Sequence, residues 1–301
     1  MKKCSVAILL SILLVPALLH ARVEGHFDRT LPVSGVVHLD ITTGSGDIVI
    51  KAGGANQVTI HGTISSNGWL SSSDGAVHQV ESNPPIQQNG NDIRIGYNLP
   101  DEVKRHVSIS YEVTVPADAA VQTHSGSGNV GVEGVRGGVQ AQTGSGDVRL
   151  RDLGSQVRSQ TGSGGIRAQD VGAPFYAHTG SGDIDVSLTG SGDVDIQTGS
   201  GSVQVRGVKG GLRARTGSGN ISSDGSVTGP WQLHTGSGNI RMALASTGGF
   251  NLDVHTSSGS IHSDLPITVQ GSLGKHELKG TVRGGGPEVE VHTGSGDVEI
   301  R

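Results

Sequence analysis

An aspartate or asparagine directly follows a Gly-Ser-Gly turn at Asp147, Asp183, Asn220, Asn239 and Asp297, and Asp193 adds a spacing of ten after Asp183. Carboxylates at a fixed interval suit a calcium-binding β-roll, because that hard cation takes several oxygens at once. The detail differs. The calcium-binding nonapeptide sets its carboxylate two residues after the last glycine, with one apolar residue per repeat. Here the carboxylate follows the glycine directly, and two apolar residues come after it. Successive units read Asp147, Gly165, Asp183, Ser202, Asn220 and Asn239 at this position, so carboxylates do not stack on adjacent units. Turn capping is the expected role.

Histidines recur just before the turn, at His124, His178, His234, His255 and His292. His234 and His255 are expected on adjacent units, where they could share a metal. Gln142, Gln160, Gln197 and Arg215 fill the same column, which favours a solvated edge. Arg149, Arg151, Arg158 and Arg167 fall on outward positions and suggest a site for an anionic glycan. Asp152, Asp170 and Asp185 lie close to them in the pattern, so a mixed charged surface is expected. Asp183 and Asp185 form a carboxylate pair of the kind glycan-cleaving enzymes use, without any sign of a pocket. Gly126-Ser127-Gly128-Asn129-Val130-Gly131 fits a dinucleotide fingerprint, which has meaning only when a helix follows; a strand is expected here. No catalytic, cofactor or metal residue is assigned.

The elements that would hold these side chains repeat with a period of 18 or 19. Thr143, Thr161, Thr179, Thr198 and Thr216 each open a Thr-Gly-Ser-Gly unit. Numbered from that Thr, the sixth position is Val148, Ile166, Ile184 or Val203, and the eighth is Leu150, Ala168, Val186 or Val205. Polar residues stand between them, the alternation of a strand with one buried face. A second pair follows near positions 15 and 17: Val157 and Ser159, Phe175 and Ala177, Leu212 and Ala214. Each unit therefore carries two strands, a corner and a Gly-rich turn whose glycines permit positive φ. The Thr and Ser hydroxyls are expected to form a ladder along the stack. One unit carries a second Thr-Gly-Ser-Gly-Asp at Thr189, so both of its ends have the turn sequence. The expected fold is all-β: a parallel β-solenoid, or β-helix, of roughly 18-residue coils. Right-handed winding is expected from the bias of parallel crossovers. Val148, Ile166, Ile184, Val203, Ile221 and Ile240 should stack in one inward column.

Fifty glycines without a G-X-Y period exclude collagen, and 3% aromatics suit a narrow aliphatic core. Met1 to Ala21 carries Lys2 and Lys3, an apolar run and a small residue, the pattern of a secretory signal peptide. Its removal takes the net charge from −5 to −7 by deleting two lysines, so no electrostatic footprint for nucleic acid remains. Cys4 is the only cysteine and falls inside the signal, which leaves the mature chain without thiol chemistry.

Residues 22–123 read as a β-rich N-terminal part. They hold an early coil (Ile48, Ile50, then Val58 and Ile60), a Ser-rich loop at Ser71 to Ser73, and strands near Asp92–Tyr97 and Val107–Val115. This part should cover the open end of the stack. Residues 124–301 read as the regular solenoid, with a long last interval from Leu265 to His292 as an excursion or antiparallel addition.

The "G-D-I-x-I" segment from Gly46 to Ile50, the strand ending Val113-Thr114-Val115-Pro116, and the turns at Thr143, Thr179, Thr216 and Thr235 resemble the bacterial putative-adhesin family, exported β-strand-repeat proteins of unknown function. The resemblance covers roughly residues 30 to 301 and implies a β-solenoid of the cell envelope; it carries no catalytic residues. The leading expectation is an exported, non-enzymatic binding or scaffolding surface, located in the periplasm, at the cell surface or outside the cell. Its partner would be a surface ligand such as a glycan or envelope protein. A polysaccharide-binding or polysaccharide-cleaving β-helix is the alternative, and a calcium-dependent β-roll a third.

Overall fold

The computed structural model describes residues 24–66, 72–245, 248–269 and 274–301. The signal segment, Trp69 and Ser71 lie outside the described residues. No helix among the described residues is long and apolar enough to cross a membrane.

The alternation in each unit produces two strands that pair in parallel with the same strands of the next unit. Strands that follow the turn make the front face, where Val148 pairs with Ile166, Ile166 with Ile184, and Ile184 with Val203. Strands that precede the turn make the back face, where Val139 pairs with Val157, Val157 with Phe175, and Phe175 with Val194. The expected column is continuous and dry: Val148, Ile166, Ile184, Val203, Ile221 and Ile240 are all buried. In the back-face column the small residues Ala141, Ser159 and Ala177 are buried too, as a narrow two-faced core requires. Trp231 fits the same core because its indole N–H donates to the Gly210 carbonyl, 3.1 Å away. Val203–Ser218 and Ile221–Ser237 run through the corner and contribute to both faces.

The turn glycines serve a purpose other than positive φ. A Cβ at Gly164 would lie 1.9 Å from the Gly146 carbonyl oxygen of the coil below, so close stacking of backbones excludes any side chain. The repeated Thr is buried beside it, and its hydroxyl reaches backbone rather than another hydroxyl. Thr161 Oγ1 donates to Gly146 O (2.8 Å) and accepts from Gly164 N (3.1 Å). Thr143, Thr179 and Thr198 repeat both bonds. Two orphan backbone groups per turn are satisfied without water.

The N-terminal part departs from expectation in two ways. The early coil consists of His38–Thr43 and Ile48–Gly53, which stack directly on Ala120–Ser125 and Val130–Glu133. Val58 and Ile60 do not complete it. They belong to Gln57–Ser66, which runs antiparallel between Glu24–Pro32 and Val107–Pro116 on the front face. The chain from Ser72 forms helix α1 (Ser72–Ser82) where a loop is expected, and Asp101–His106 forms helix α2. Ala76, Val77 and Val80 of α1 are buried against the end of the core, so an amphipathic helix completes the cap. Asp92–Ile95 and Val107–Pro116 are strands as expected.

The C-terminal coils are out of sequence order. Phe250–Ser258 does not pair with the Trp231 strand. Glu288–Ser295 lies between them, parallel to both, and Val298–Ile300 fills the same rung on the front face between Ile240–Leu244 and Ile261–Ser263. The long interval is an antiparallel addition: Glu277–Val282 pairs with the free side of Phe250–Ser258, and Ile267–Val269 with Glu277–Val282.

Candidate functional site

The aspartates and asparagines after the turn form one column joined across coils by hydrogen bonds. Asp47 Oδ1 accepts from Asn129 N (2.7 Å), Asn129 Oδ1 from Asp147 N (3.0 Å), and Asp147 Oδ1 from Gly165 N (3.0 Å). Gly165 has no side chain and interrupts the column. It resumes with Asp183 Oδ1 accepting from Ser202 N, Asn220 Oδ1 from Asn239 N, and Asn239 Oδ1 from Asp297 N, each 2.8 Å. Asp297 ends it by accepting from the Ser260 hydroxyl and amide, which hold its carboxyl below the usual range. Each cap therefore serves the neighbouring coil's amide, and an amide side chain does this as well as a carboxylate. Asp193 caps Gly211 N in the same way, 3.1 Å away.

Asp183 and Asp185 diverge: the first accepts a backbone amide, and the second pairs with Arg206 (2.5 Å). Asp152 and Asp170 occupy the corner with φ of 49° and 54°, where Gly134 (φ 77°) stands one coil earlier. Asp is among the few non-glycine residues that tolerate this left-handed conformation, so backbone geometry explains them. The four arginines do not form one cluster. Arg149 pairs with Asp147 (2.9 Å) and Arg151 with Glu133 (3.4 Å) on the front face, where Arg149 also neighbours Arg167. Arg158 is on the back face, its guanidinium carbon 5.0 Å from the centre of the Tyr176 ring. The Gly126–Gly131 segment leads into Val130–Glu133, a strand, so it has no helix N-terminus to offer a dinucleotide.

The histidine order is corrected by the intercalated coil. His234 and His255 are not neighbours; His292 stands between them, with ring centroids 4.9 Å from His234 and 5.2 Å from His255 and the planes nearly parallel. Burial, then the two flanking histidines, lower the His292 pKa. His124 and His178 lie farther along the column, separated by Gln142 and Gln160, which bond to each other (3.0 Å). Among the described residues no group of three or more His, Cys, Asp or Glu is placed to hold a metal ion.

One concavity has no counterpart in the repeat pattern. It is an open groove of about 460 Å³ on the back face, across the strands Asp92–Ile95, His38–Thr43, Ala120–Ser125 and Val139–Thr143. One outward row reads Arg94, Asp40, Gln122, Gln140, Arg158, each in register with the next. The parallel row reads Asp92, His38, Ala120, Gly138, Gln156, so two small residues form the floor between larger ones. Asp40 accepts the Tyr97 hydroxyl (2.8 Å). Burial and then this bond push the Tyr97 pKa up to about 12, so the phenol stays a donor. Most of the lining lies before the regular repeat begins, and this is why no motif marked it.

A family model described as Toastrack DUF4097 matches residues 36–301, the stretch that builds both faces and the intercalated rung. The chain belongs to this Toastrack family. Its β-solenoid-like architecture is the one described above, and the expected membership of a repeat family of unknown function holds. Three solved structures are similar at low identity. A putative adhesin from Bacteroides fragilis has 12% identity and a TM-score of 0.38, over 92% of this chain and 97% of that one. A putative adhesin from Parabacteroides distasonis has 11% identity and a TM-score of 0.35, over 92% and 97%. A putative cell adhesion protein from Clostridium sporogenes has 11% identity and a TM-score of 0.20, over 92% and 98%. No curated protein matches this Toastrack chain.

Proposed function

We propose that the chain is an exported, non-enzymatic binding or scaffolding surface of the bacterial cell envelope, adhesin-like in role. One observation carries this reading: outward positions repeat in register on two faces, held by parallel ladders and by the column of inter-coil caps. Such a surface is rigid before it meets a partner, so little ordering entropy is lost on contact. It also presents an outward side chain at every rung, about 4.8 Å apart, a spacing that suits a repetitive ligand. A mature chain that begins near residue 22, with residues 22–123 as cap and 124–301 as display surface, is part of the proposal. The glycan-cleaving alternative asks for one carboxyl held protonated across a bond from another. In the groove Asp40 is instead engaged by the Tyr97 hydroxyl, which donates a hydrogen bond to it.

The test is binding of fluorescently tagged mature chain to intact bacterial cells and to isolated envelope fractions, alongside a reducing-sugar assay on bulk polysaccharides. Saturable binding without sugar release is expected. Release of reducing ends, or no saturable binding to any fraction, would overturn the reading.

A further inference from the structure

The back-face groove has properties that a generic display surface does not need. Its charges cancel: Asp40 and Asp92 face Arg94 and Arg158. The side-chain amides of Gln122, Gln140 and Gln156 have no protein partner among the described residues, so each offers a free donor pair and a free acceptor. The floor is an Ala methyl and bare Gly138 backbone, where a Cβ would meet no heavy atom within 4 Å. Two aromatic rings flank the lining, Tyr97 beside Asp40 and Tyr176 next after Arg158 in the row. Tyr97, 46% exposed, is fixed by Asp40, and Tyr176 is covered by Arg158.

We propose that this groove binds a neutral oligosaccharide lying across the strands, along the row Asp40, Gln122, Gln140 and Arg158. The inference rests on the binding-surface reading above and names the ligand class for one face. A sugar chain fits the chemistry on three counts. Its hydroxyls both donate and accept, as the unpaired amides and the mixed carboxylate and guanidinium groups require. Its charge is zero, matching the balanced lining, whereas a polyanion would meet Asp40 and Asp92 and a polycation would meet Arg94 and Arg158. Its ring faces can stack on the exposed Tyr97, which presents an apolar body with a polar tip. A peptide ligand would want an apolar anchor pocket, and the Ala120–Gly138 floor is too shallow for one. The volume lies at the low end for small-ligand sites, room for a short stretch of chain. The rung spacing of about 4.8 Å is near the advance of one pyranose unit, so successive sugars meet successive side chains of the row.

The experiment uses the mature full-length chain on an array of neutral and anionic oligosaccharides, with calorimetry on the strongest neutral tetrasaccharide. Gly138→Tyr fills the floor in open space and should leave the thermal melt unchanged while weakening binding by about tenfold or more. Gln140→Ala, a second variant that needs no added bulk, should weaken it several-fold, and Arg167→Ala on the front face should change nothing. The proposal fails if no neutral oligosaccharide binds, if only anionic ones bind, or if Gly138→Tyr and Gln140→Ala both bind as wild type does. Failure here with undiminished, saturable binding to cells would remove the groove's assignment and leave the binding-surface reading intact. Loss of cell binding in the wild type would remove both.

Discussion

Thr179 and Thr189 each open the sequence Thr-Gly-Ser-Gly-Asp followed by two apolar residues around an aspartate, ten residues apart in one coil. Thr179 is fully buried; its hydroxyl donates to Gly164 O (2.8 Å) and accepts from Gly182 N (3.2 Å). Thr189 is exposed at the other corner, with a 3.4 Å contact to Val171 O. Thr179→Val should therefore cost about 1–3 kcal/mol, since two buried backbone groups lose their partner. Thr189→Val should stay within about 0.5 kcal/mol. Chemical denaturation of the two variants separates them, and equal losses would mean that the buried hydroxyl bonds contribute nothing. A second adjacent pair works in the same way. Ile184 is in the dry column, so Ile184→Asp should cost on the order of several kcal/mol. Asp185 is a partly exposed partner of Arg206 rather than a free surface charge, so Asp185→Ala should cost about 0–1 kcal/mol. A folded Ile184→Asp chain with a wild-type melt would contradict the column.

At the scale of the strand, Glu288–Ser295 places His292 between two other imidazoles. Burial and those neighbours depress its pKa in the folded state, while Glu290 acts in the opposite direction. Arg215 precedes His234 in the column, and Glu277 follows His255 on the antiparallel strand. A histidine whose folded pKa lies below its unfolded value, about 6.5, binds fewer protons when folded. Its neutral form is then compatible with full stability above that pH, and stability falls as pH drops from there through the lowered folded value. The melting temperature should decline between neutral and mildly acidic pH, with hydrogen exchange rising first around residues 288–293. His292→Gln should flatten that decline, because glutamine already fills the column at Gln142, Gln160 and Gln197. An unchanged pH profile in the variant would assign the acid sensitivity elsewhere.

For the whole molecule, the intercalated rung decides which parts stand or fall together. In a stacked array each coil is stabilised chiefly by its nearest neighbours. Residues 287–301 are the neighbour of two coils at once, so removing them strips the partner from Trp231–Leu233 on one side and Leu252–Val254 on the other. A chain ending at residue 286 should lose proteolytic protection from about residue 221 to 282, while the coils from Ser125 to Thr216 keep theirs. Retention of wild-type protection at 250–282 would mean that the flanking coils close up and pair directly.

The period, the inward column, the turn and the two strands per coil were all legible in the sequence. They depend on contacts a residue makes within its own coil or with the equivalent residue next door, and an alternating pattern records both. The fingerprint at Gly126 and the calcium-like aspartates could also be weighed there, because each needs a local context that the following residues deny. The order of the rungs was not legible. His234, His255 and His292 carry the same local signal whichever coil lies in the middle, and only backbone pairing over dozens of residues selects His292. Helix α1 was hidden because Ser72–Ser82 has a weak pattern of its own, and its helical state follows from burying Ala76, Val77 and Val80 against the core end. The groove was hidden for a related reason. His38, Asp40, Asp92 and Arg94 are far in sequence from Gln140 and Arg158, and they become one row only when the early coil stacks on the first regular one. Repetition along the chain thus determined the form of a coil, while long-range hydrogen bonding decided which coils are neighbours and therefore which side chains act together.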